Sequence, residues 1–286
     1  MTEFAEPEFA EPEVERLAAA AGRVQTRRRT LRRILQHLAV FFLWNLAAGA
    51  ALFLLAPPLG VLVALLLAWL LLERYLLRRG RPGEQRQWAV LRLRPLPPRA
   101  LLWTLAAVPA LLATSWGLWE VYVGLVRVPA ESLNPYAQLT GTPLGRLSLA
   151  LLAIGVAPLL EEFFFRGLIQ RPLERRWGPA RAILFTGALF AAIHLLPWIF
   201  PLHLFLGLAF GWVVYATRSI WPGVILHAAN NAAALLGLEG GEDPVARPTI
   251  WDVGLGVDWW TGLALLTVGA VMCVWVARGL WAASRS

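Results

Sequence analysis

Residues 158–178 read PLLEEFFFRGLIQRPLERRWG, and this stretch places two adjacent glutamates and an arginine inside an apolar run of the chain. Glu162 stands four residues before Arg166, which is the helical spacing and order that favour an ion pair. Glu161 is rotated by about 100° from Glu162 on a helix, so it can face a different neighbour and stay available for chemistry. Pro158 cannot donate its helical hydrogen bond, so we expect a kink that opens space for water. The structural alternative is an interfacial Glu–Arg cluster at the cytoplasmic end of a helix.

The apolar setting of this stretch extends to the whole chain of 286 residues, of which 58% are hydrophobic and 15% are charged. A soluble domain carries more charge, disorder requires low hydrophobicity, and a disulfide scaffold requires more cysteine than the single Cys273. The formal charge is +8, and every basic residue is an arginine. These arginines cluster between apolar runs instead of forming one stripe, which indicates membrane topology and not a nucleic-acid partner. We therefore expect an all-α polytopic membrane protein.

Eight apolar runs are candidates for bilayer-spanning helices, which need about 20 residues each. The runs are 34–56, 59–77, 101–118, 147–170, 182–196, 200–217, 220–238 and 259–276. With both termini in the cytoplasm, most arginines fall on the cytoplasmic face, and the exceptions are Arg127, Arg146 and Arg247. The positive-inside rule therefore predicts cytoplasmic N- and C-termini in an integral, multi-pass membrane protein.

The chain divides into four parts on this basis. Residues 1–33, a doubled EFAEP unit followed by an arginine-rich segment, are expected to be a cytoplasmic tail without a signal peptide. Residues 14–35, which start in this tail and end just after it, are expected to form either an amphipathic helix on anionic lipid or a solvated polar helix. Residues 34–143 hold the first three spans, 144–238 hold spans four to seven, and 239–286 hold an outer loop, the eighth span and the C-terminus.

Polar side chains inside the predicted spans are concentrated in the fourth, fifth and seventh. In the fifth, Phe190 and His194 share one helical face, and in the seventh, His227 and Asn231 do so while Asn230 points elsewhere. A polar or ionisable side chain in hydrocarbon is costly and needs a specific reason. Packing of the histidines and hydrogen bonding between helices are the structural alternatives.

A candidate catalytic site follows from the depths of these side chains. At about 1.5 Å per residue, Glu161, His227 and Asn231 fall at similar depths, and His194 falls deeper. Together they would supply a general base, a proton partner and an oxyanion stabiliser around one water.

The polar stretches of the fourth, fifth and seventh predicted spans resemble the CPBP intramembrane protease family, also called the CAAX prenyl protease and bacteriocin-processing or Abi family. Its motifs EExxxR, FxxxH and HxxxN occur in order, at Glu161, Glu162 and Arg166, at Phe190 and His194, and at His227 and Asn231. The resemblance covers about residues 144–238, and it implies peptide-bond hydrolysis by an eight-helix fold with a cytoplasm-facing cavity. It also implies that Glu161 and His194 activate water and that Glu162, paired with Arg166, orders the site. His227 and Asn231 would stabilise the oxyanion.

A metal cofactor is the open point of this assignment. Two histidines and a carboxylate make a three-ligand zinc site, so Glu161, His194 and His227 are candidate ligands of a divalent metal. The chain has no HExxH motif to decide the matter. We expect a glutamate-activated water, with a metal such as zinc as the alternative.

The sequence therefore predicts an intramembrane endopeptidase whose substrate is a membrane-associated protein or peptide and whose surroundings are the lipid bilayer. A proton-coupled transporter and a non-catalytic scaffold or immunity protein are the alternatives. Transporters commonly show duplicated halves, whereas the two halves of this chain differ sharply in polar content. Outside the motifs, Gly207 and Gly211 predict close helix contact. His203, near the outer end of the sixth span, is interpreted as unrelated to the site.

Overall fold

The computed structural model describes residues 11–55, 57–77, 91–129, 142–239 and 248–285, and the regular structure in these ranges is entirely helical. The first ten residues, with most of the EFAEP repeat, and the acidic outer segment 240–247 lie outside them. The helices are α1 Glu11–Leu54, α2 Pro57–Leu77, α3 Pro98–Leu125, α4 Pro143–Trp177, α5 Pro179–Ile193, α6 Phe200–Thr217, α7 Trp221–Glu239, α8 Ile250–Val253 and α9 Val257–Ala283.

Five helices in the described part of the chain are long and apolar enough to cross a membrane: α1 over Leu31–Leu52, α3, α4, α6 with its preceding turn, and α9. Helices α5 and α2, the latter over Leu59–Glu73, are shorter and apolar. The expected all-α membrane protein is thereby confirmed, whereas the count of eight spans and the cytoplasmic termini stay predictions. Helix α1 passes from the predicted tail into the first span without a break.

Prolines and one glycine mark where the helices begin. Proline stands in the first turn of α3, α4 and α5, at Pro98, Pro143 and Pro179. Its missing N–H costs nothing there, and its fixed φ suits the helix. Gly178 is the one residue between α4 and α5, and its φ of +79° lies in the region that favours glycine. The chain can therefore reverse direction within a single residue.

Helix α4 is the centre of the fold. Phe163, Phe164 and Phe165 are consecutive and all buried, which requires neighbours on every side of the helix. Phe41 of α1 lies 5.2 Å from Phe164 and 5.4 Å from Phe165, measured between ring centroids. From α5, Phe190 lies 5.5 Å from Phe165. Side chains of α4 are thus enclosed even though the helix is long enough to span a bilayer.

The helical register of α4 changes twice, with π-helical segments at Leu151–Val156 and Phe163–Gln170. At the end of the first segment, the N–H of Ala157 donates to the carbonyl of Leu152, five residues earlier. The next residue, Pro158, has no N–H to continue this pattern, so the carbonyl of Ala153 lacks a helical donor. Segments of this kind are frequent at functional sites. The structure at Pro158 thus shows a change of register beside a carbonyl without a helical donor, and the expected kink that opens space for water stays a prediction.

Helices α5 and α6 approach each other to backbone contact. A Cβ built on Gly207 would lie 2.8 Å from the carbonyl oxygen of Gly187, which is closer than any side chain tolerates. The close helix contact predicted from the GxxxG of α6 is confirmed at this residue. The carbonyls of Gly207 and Gly211 in α6 accept hydrogen bonds from Arg166 and Gln170 of α4.

Candidate active site

Four of the predicted site residues form one connected cluster between α4 and α7. Oε1 of Glu162 lies 3.0 Å from Nη1 of Arg166 and 3.4 Å from Nδ1 of His227. Nε2 of His227 lies 3.9 Å from Oε2 of Glu161. His227 is therefore placed between the two carboxylates, with one ring nitrogen toward each. With both glutamates ionised and His227 protonated, the formal charge of the cluster would be zero.

Glu162 and Arg166 are the buried half of this cluster, and the predicted ion pair between them is confirmed. Neither side chain is exposed at all, so the pair is not the interfacial cluster that was the alternative. Charges buried in this way persist only when they are paired. Arg166 also donates from Nη2 to the carbonyl of Gly207 at 2.9 Å, and its guanidinium carbon lies 4.8 Å from the ring centre of Phe190.

Glu161 differs from Glu162 in its access to solvent. Its side chain keeps 13% of its surface exposed, against 0% for Glu162. The ion contact with His227 is too long for a direct hydrogen bond, and buried Oε2 has no hydrogen-bond partner. Of the two carboxylates, Glu161 is thus the one that can meet a water or a substrate.

His194 lies beyond the end of α5 and joins the cluster through Phe190. Its Nδ1 is 2.7 Å from the carbonyl oxygen of Phe190, so this nitrogen carries a proton and Nε2 holds the lone pair of the neutral ring. The Phe190 ring centre lies 4.9 Å from that of His194 and 5.6 Å from that of His227. The FxxxH motif therefore places an aromatic ring between the two motif histidines.

The two asparagines of α7 contact different helices. Asn231 donates from Nδ2 to the carbonyl of Ala153 at 2.8 Å. This hydrogen bond replaces the one that the missing N–H of Pro158 cannot make. Asn230 accepts a hydrogen bond from Ser115 of α3 at 3.4 Å. The predictions that His227 and Asn231 share a face, here the one toward α4, and that Asn230 points elsewhere are confirmed. Hydrogen bonding between helices, the structural alternative for these amides, is also observed.

Four residues in or next to the site were missed by the sequence analysis. Gly223 is one, since a Cβ there would lie 2.5 Å from Oε2 of Glu162. Phe210 is stacked on His227 with ring centres 4.9 Å apart. Gln170, one turn after Arg166, repeats its contact by donating to the carbonyl of Gly211 at 2.9 Å. Two features of the sequence could have pointed to these residues. One is a glycine in the first turn of the helix that carries His227, and the other is a glutamine one helical turn after Arg166.

The fourth missed residue corrects an interpretation. The ring centre of His203 lies 4.0 Å from that of His194, so His203 belongs to the neighbourhood of the site and the interpretation that it is unrelated was wrong. The error arose because a straight-helix estimate of depth placed His203 near the outer surface. A polar residue in an otherwise apolar span was the signal that pointed to it.

The expected metal ligands do not form a complete set. Among the described residues, no three or more His, Cys, Asp or Glu side chains are arranged to hold a metal ion. Glu161 and His227 are neighbours, but the Nδ1 of His194 is directed to a backbone carbonyl. Metal dependence therefore stays a prediction of the sequence.

A comparison with known protein families gives a match over the motif-bearing part of the chain. Residues 143–233, from the first residue of α4 into α7, match the family described as type II CAAX prenyl endopeptidase Rce1-like. No curated protein matches the chain. No solved structure matches it either. The matched segment contains all seven motif residues, and it supports a membrane endopeptidase function. The resemblance found in the motifs is thereby confirmed for residues 143–233, whose match to a Rce1-like domain is consistent with the CPBP or CAAX protease family.

Proposed function

We propose that this protein is an intramembrane endopeptidase that hydrolyses a peptide bond of a membrane-associated protein or peptide. The proposal rests on the different surroundings of two adjacent glutamates. Glu162 is fully buried and compensated by Arg166, whereas Glu161 keeps 13% of its side chain exposed beside His227. A carboxylate with access to water next to a fixed charge pair is the arrangement that general-base catalysis requires.

The proposed reaction begins with a water held by Glu161, with His194 as its partner. Glu161 accepts a proton as the water oxygen forms a bond to the carbonyl carbon of the substrate. The carbonyl π electrons move to oxygen, and the resulting oxyanion accepts hydrogen bonds from His227 and Asn231. The C–N bond then breaks, and the proton held by Glu161 passes to the departing amine. Positioned acid–base groups of this kind contribute about 10²- to 10⁴-fold in rate.

Two details of geometry support the oxyanion role. The 3.9 Å separation between His227 and Glu161 exceeds a hydrogen bond, so Nε2 is not committed to that carboxylate. The amide nitrogen of Asn231 carries two hydrogens, and the bond to Ala153 uses one of them. Asn231 therefore keeps a donor for a developing oxyanion, and His227 supplies a second one when its Nε2 carries a proton.

The substrate class is tested directly with the purified protein in proteoliposomes. We expect the wild type to cleave members of a membrane-protein library or of a set of C-terminal peptides with and without a prenyl group. Glu161→Gln should lower the rate at least about 100-fold, because the substitution removes the general base at constant size. Glu73→Gln, the same substitution in α2 outside the Rce1-like domain, is the matched control and should cleave at the wild-type rate.

Two results would contradict the proposal. Cleavage that survives Glu161→Gln would show that the catalytic carboxylate has been assigned wrongly. The absence of any cleavage together with proton or ion flux across the same proteoliposomes would favour a transporter, in which the glutamates and histidines form a relay.

A further inference from the structure

Three of the four histidines in the chain surround one phenylalanine. The ring centre of Phe190 lies 4.9 Å from His194, 5.6 Å from His227 and 6.3 Å from His203. His194 and His227 belong to the family motifs, and His203 does not. Its presence in the same group needs an explanation of its own, because a polar ring inside a membrane helix is costly.

His203 is fixed in the same way as His194. Nδ1 of His203 lies 3.0 Å from the carbonyl oxygen of Ile199, four residues earlier, as Nδ1 of His194 does from that of Phe190. A carbonyl oxygen only accepts hydrogen bonds, so each Nδ1 carries its proton. In both neutral rings, Nε2 is therefore the basic nitrogen. The two rings are 4.0 Å apart at their centres, with their planes inclined by 48°.

Coupling between the two imidazoles follows from this distance. Two imidazolium rings so close together in a low-dielectric interior repel each other, so protonation of one ring disfavours protonation of the other. The other charged or titratable groups of this neighbourhood are Glu161, Glu162 and Arg166 on α4 and His227 on α7. Among the ring and ion contacts of the described residues, the contact of His203 with His194 is closer than that of any of these groups.

We propose that His203 is a positioning residue of this active site, which holds the imidazole of His194 in place and is coupled to its protonation. This inference rests on the proposed hydrolysis, in which His194 assists the activation of water. A phenylalanine at position 203 would fill similar space without the free-energy cost of burying polar atoms in the membrane. The proposed role of His203 therefore depends on its imidazole nitrogens. His203 lies outside the three motifs and acts through His194 without touching the reacting atoms.

The kinetic test compares His203→Phe with His37→Phe. The first keeps an aromatic ring and removes both nitrogens, and the second makes the same change in α1, outside the Rce1-like domain. We expect His203→Phe to lower kcat by roughly 10- to 100-fold, the cost of a displaced catalytic group. KM should stay within about twofold, because substrate binding is unaffected. The acid limb of the pH profile should also move. His37→Phe should match the wild type in all three, and wild-type kcat and pH profile in His203→Phe would overturn the proposal.

A second measurement does not depend on catalysis. The chain has four histidines, so selective ¹⁵N labelling in lipid nanodiscs gives a spectrum that single substitutions can assign. We expect the Nδ1–H tautomer for His194 and His203, and a displaced titration of His194 in His203→Phe with that of His37 unchanged. An unchanged titration of His194 would overturn the proposal even in an active enzyme. If the wild type cleaves nothing, the proposed function fails while this spectrum still decides the coupling. His203→Asn, which keeps a donor toward Ile199, serves in both measurements should His203→Phe not fold.

Discussion

Arg166 keeps its charge in the interior because its partners are of three kinds. A carboxylate lies 3.0 Å away, a backbone carbonyl accepts at 2.9 Å, and the ring of Phe190 lies under the guanidinium at 4.8 Å. Lysine could not reproduce this set, since the planar guanidinium is what both donates sideways and stacks. The glutamate and the arginine therefore stabilise the fold only as a pair.

Loss of the cation alone should be far worse than loss of both charges. Arg166→Met leaves the buried Glu162 with His227 alone beside it and removes the arginine of the ion pair, and breaking a buried ion pair costs about 3–5 kcal/mol. Unfolding by denaturant in detergent micelles should show this loss, and the double variant Glu162→Gln/Arg166→Met should recover part of it. Arg99→Met, at an exposed arginine of α3, is the control and should unfold as the wild type does. A fully stable Arg166→Met would contradict the compensation argued here.

Gly223 decides how closely α7 approaches Glu162. A Cβ at this position would lie 2.5 Å from Oε2 of Glu162 and 2.9 Å from Cγ2 of Val214, so one of them must move. Overpacking of this kind costs about 1–3 kcal/mol. We expect Gly223→Ala to lower both the unfolding free energy and the rate of peptide cleavage.

The matched control for this substitution lies in the same domain. A Cβ on Gly155 would meet nothing within 4 Å, so Gly155→Ala should leave activity within about twofold of the wild type. Equal effects of the two substitutions on cleavage would show that the contact between Gly223 and Glu162 does not govern the site.

At the scale of whole elements, α4 and α7 are joined by a hydrogen bond that exists because of a proline. Pro158 withholds an N–H, the carbonyl of Ala153 is left without a helical donor, and Asn231 takes that place at 2.8 Å. Leu160, two residues after Pro158 in the chain, is fully buried. Glu161 follows it and is the first residue of the charged cluster. A local defect in one helix thus sets where the neighbouring helix is held.

Restoring the missing N–H should loosen this connection. In Pro158→Ala, the helix can supply its own donor to Ala153, and Asn231 loses its fixed position. We expect cleavage to fall by roughly tenfold, the scale of a small displacement of catalytic groups, while thermal stability is kept or increased, because proline inside a helix costs about 3 kcal/mol relative to alanine. Pro109→Ala makes the same change inside α3 at an exposed position and should leave cleavage unchanged. Reduced activity in both variants would attribute the effect to helix stiffness in general.

The elements also show what a sequence can and cannot predict about this site. The pairing of Glu162 with Arg166 and the shared face of His227 and Asn231 follow from helical spacing, and the contacts agree with both. The roles of Gly223 and His203 depend on which helices become neighbours and on where α5 ends. Spacing within one helix carries no information about either, so these residues emerged only from the packing.

At the scale of the whole molecule, the segments that connect the predicted spans form two groups. The contacts described here join segments of the same group. On one side, Arg92 forms an ion pair with Glu174, and Ser219 donates to the carbonyl of Arg94 at 2.7 Å. These residues come from three connections that were predicted to be cytoplasmic. Elsewhere, Arg127 after α3 donates to Asp252 of α8 at 2.7 Å, and both were predicted to lie outside. The segregation matches the alternation of arginine along the chain.

Cysteine labelling of intact cells would decide the orientation. The single Cys273 lies 3.5 Å from Oγ1 of Thr114 and can be replaced by serine, which leaves a cysteine-free background. Trp251→Cys in α8, just before the last membrane helix, and Arg285→Cys, just after it, then place one thiol on an exposed residue on each side of that helix. Because positively charged flanks stay in the cytoplasm, a membrane-impermeant maleimide should label position 251 in intact cells and position 285 only after permeabilisation. The reverse pattern would place the arginine-rich connections outside. It would also turn the end of α4 that carries Arg171 and Glu174 away from the cytoplasm, so a substrate would have to reach Glu161 from the opposite side of the membrane.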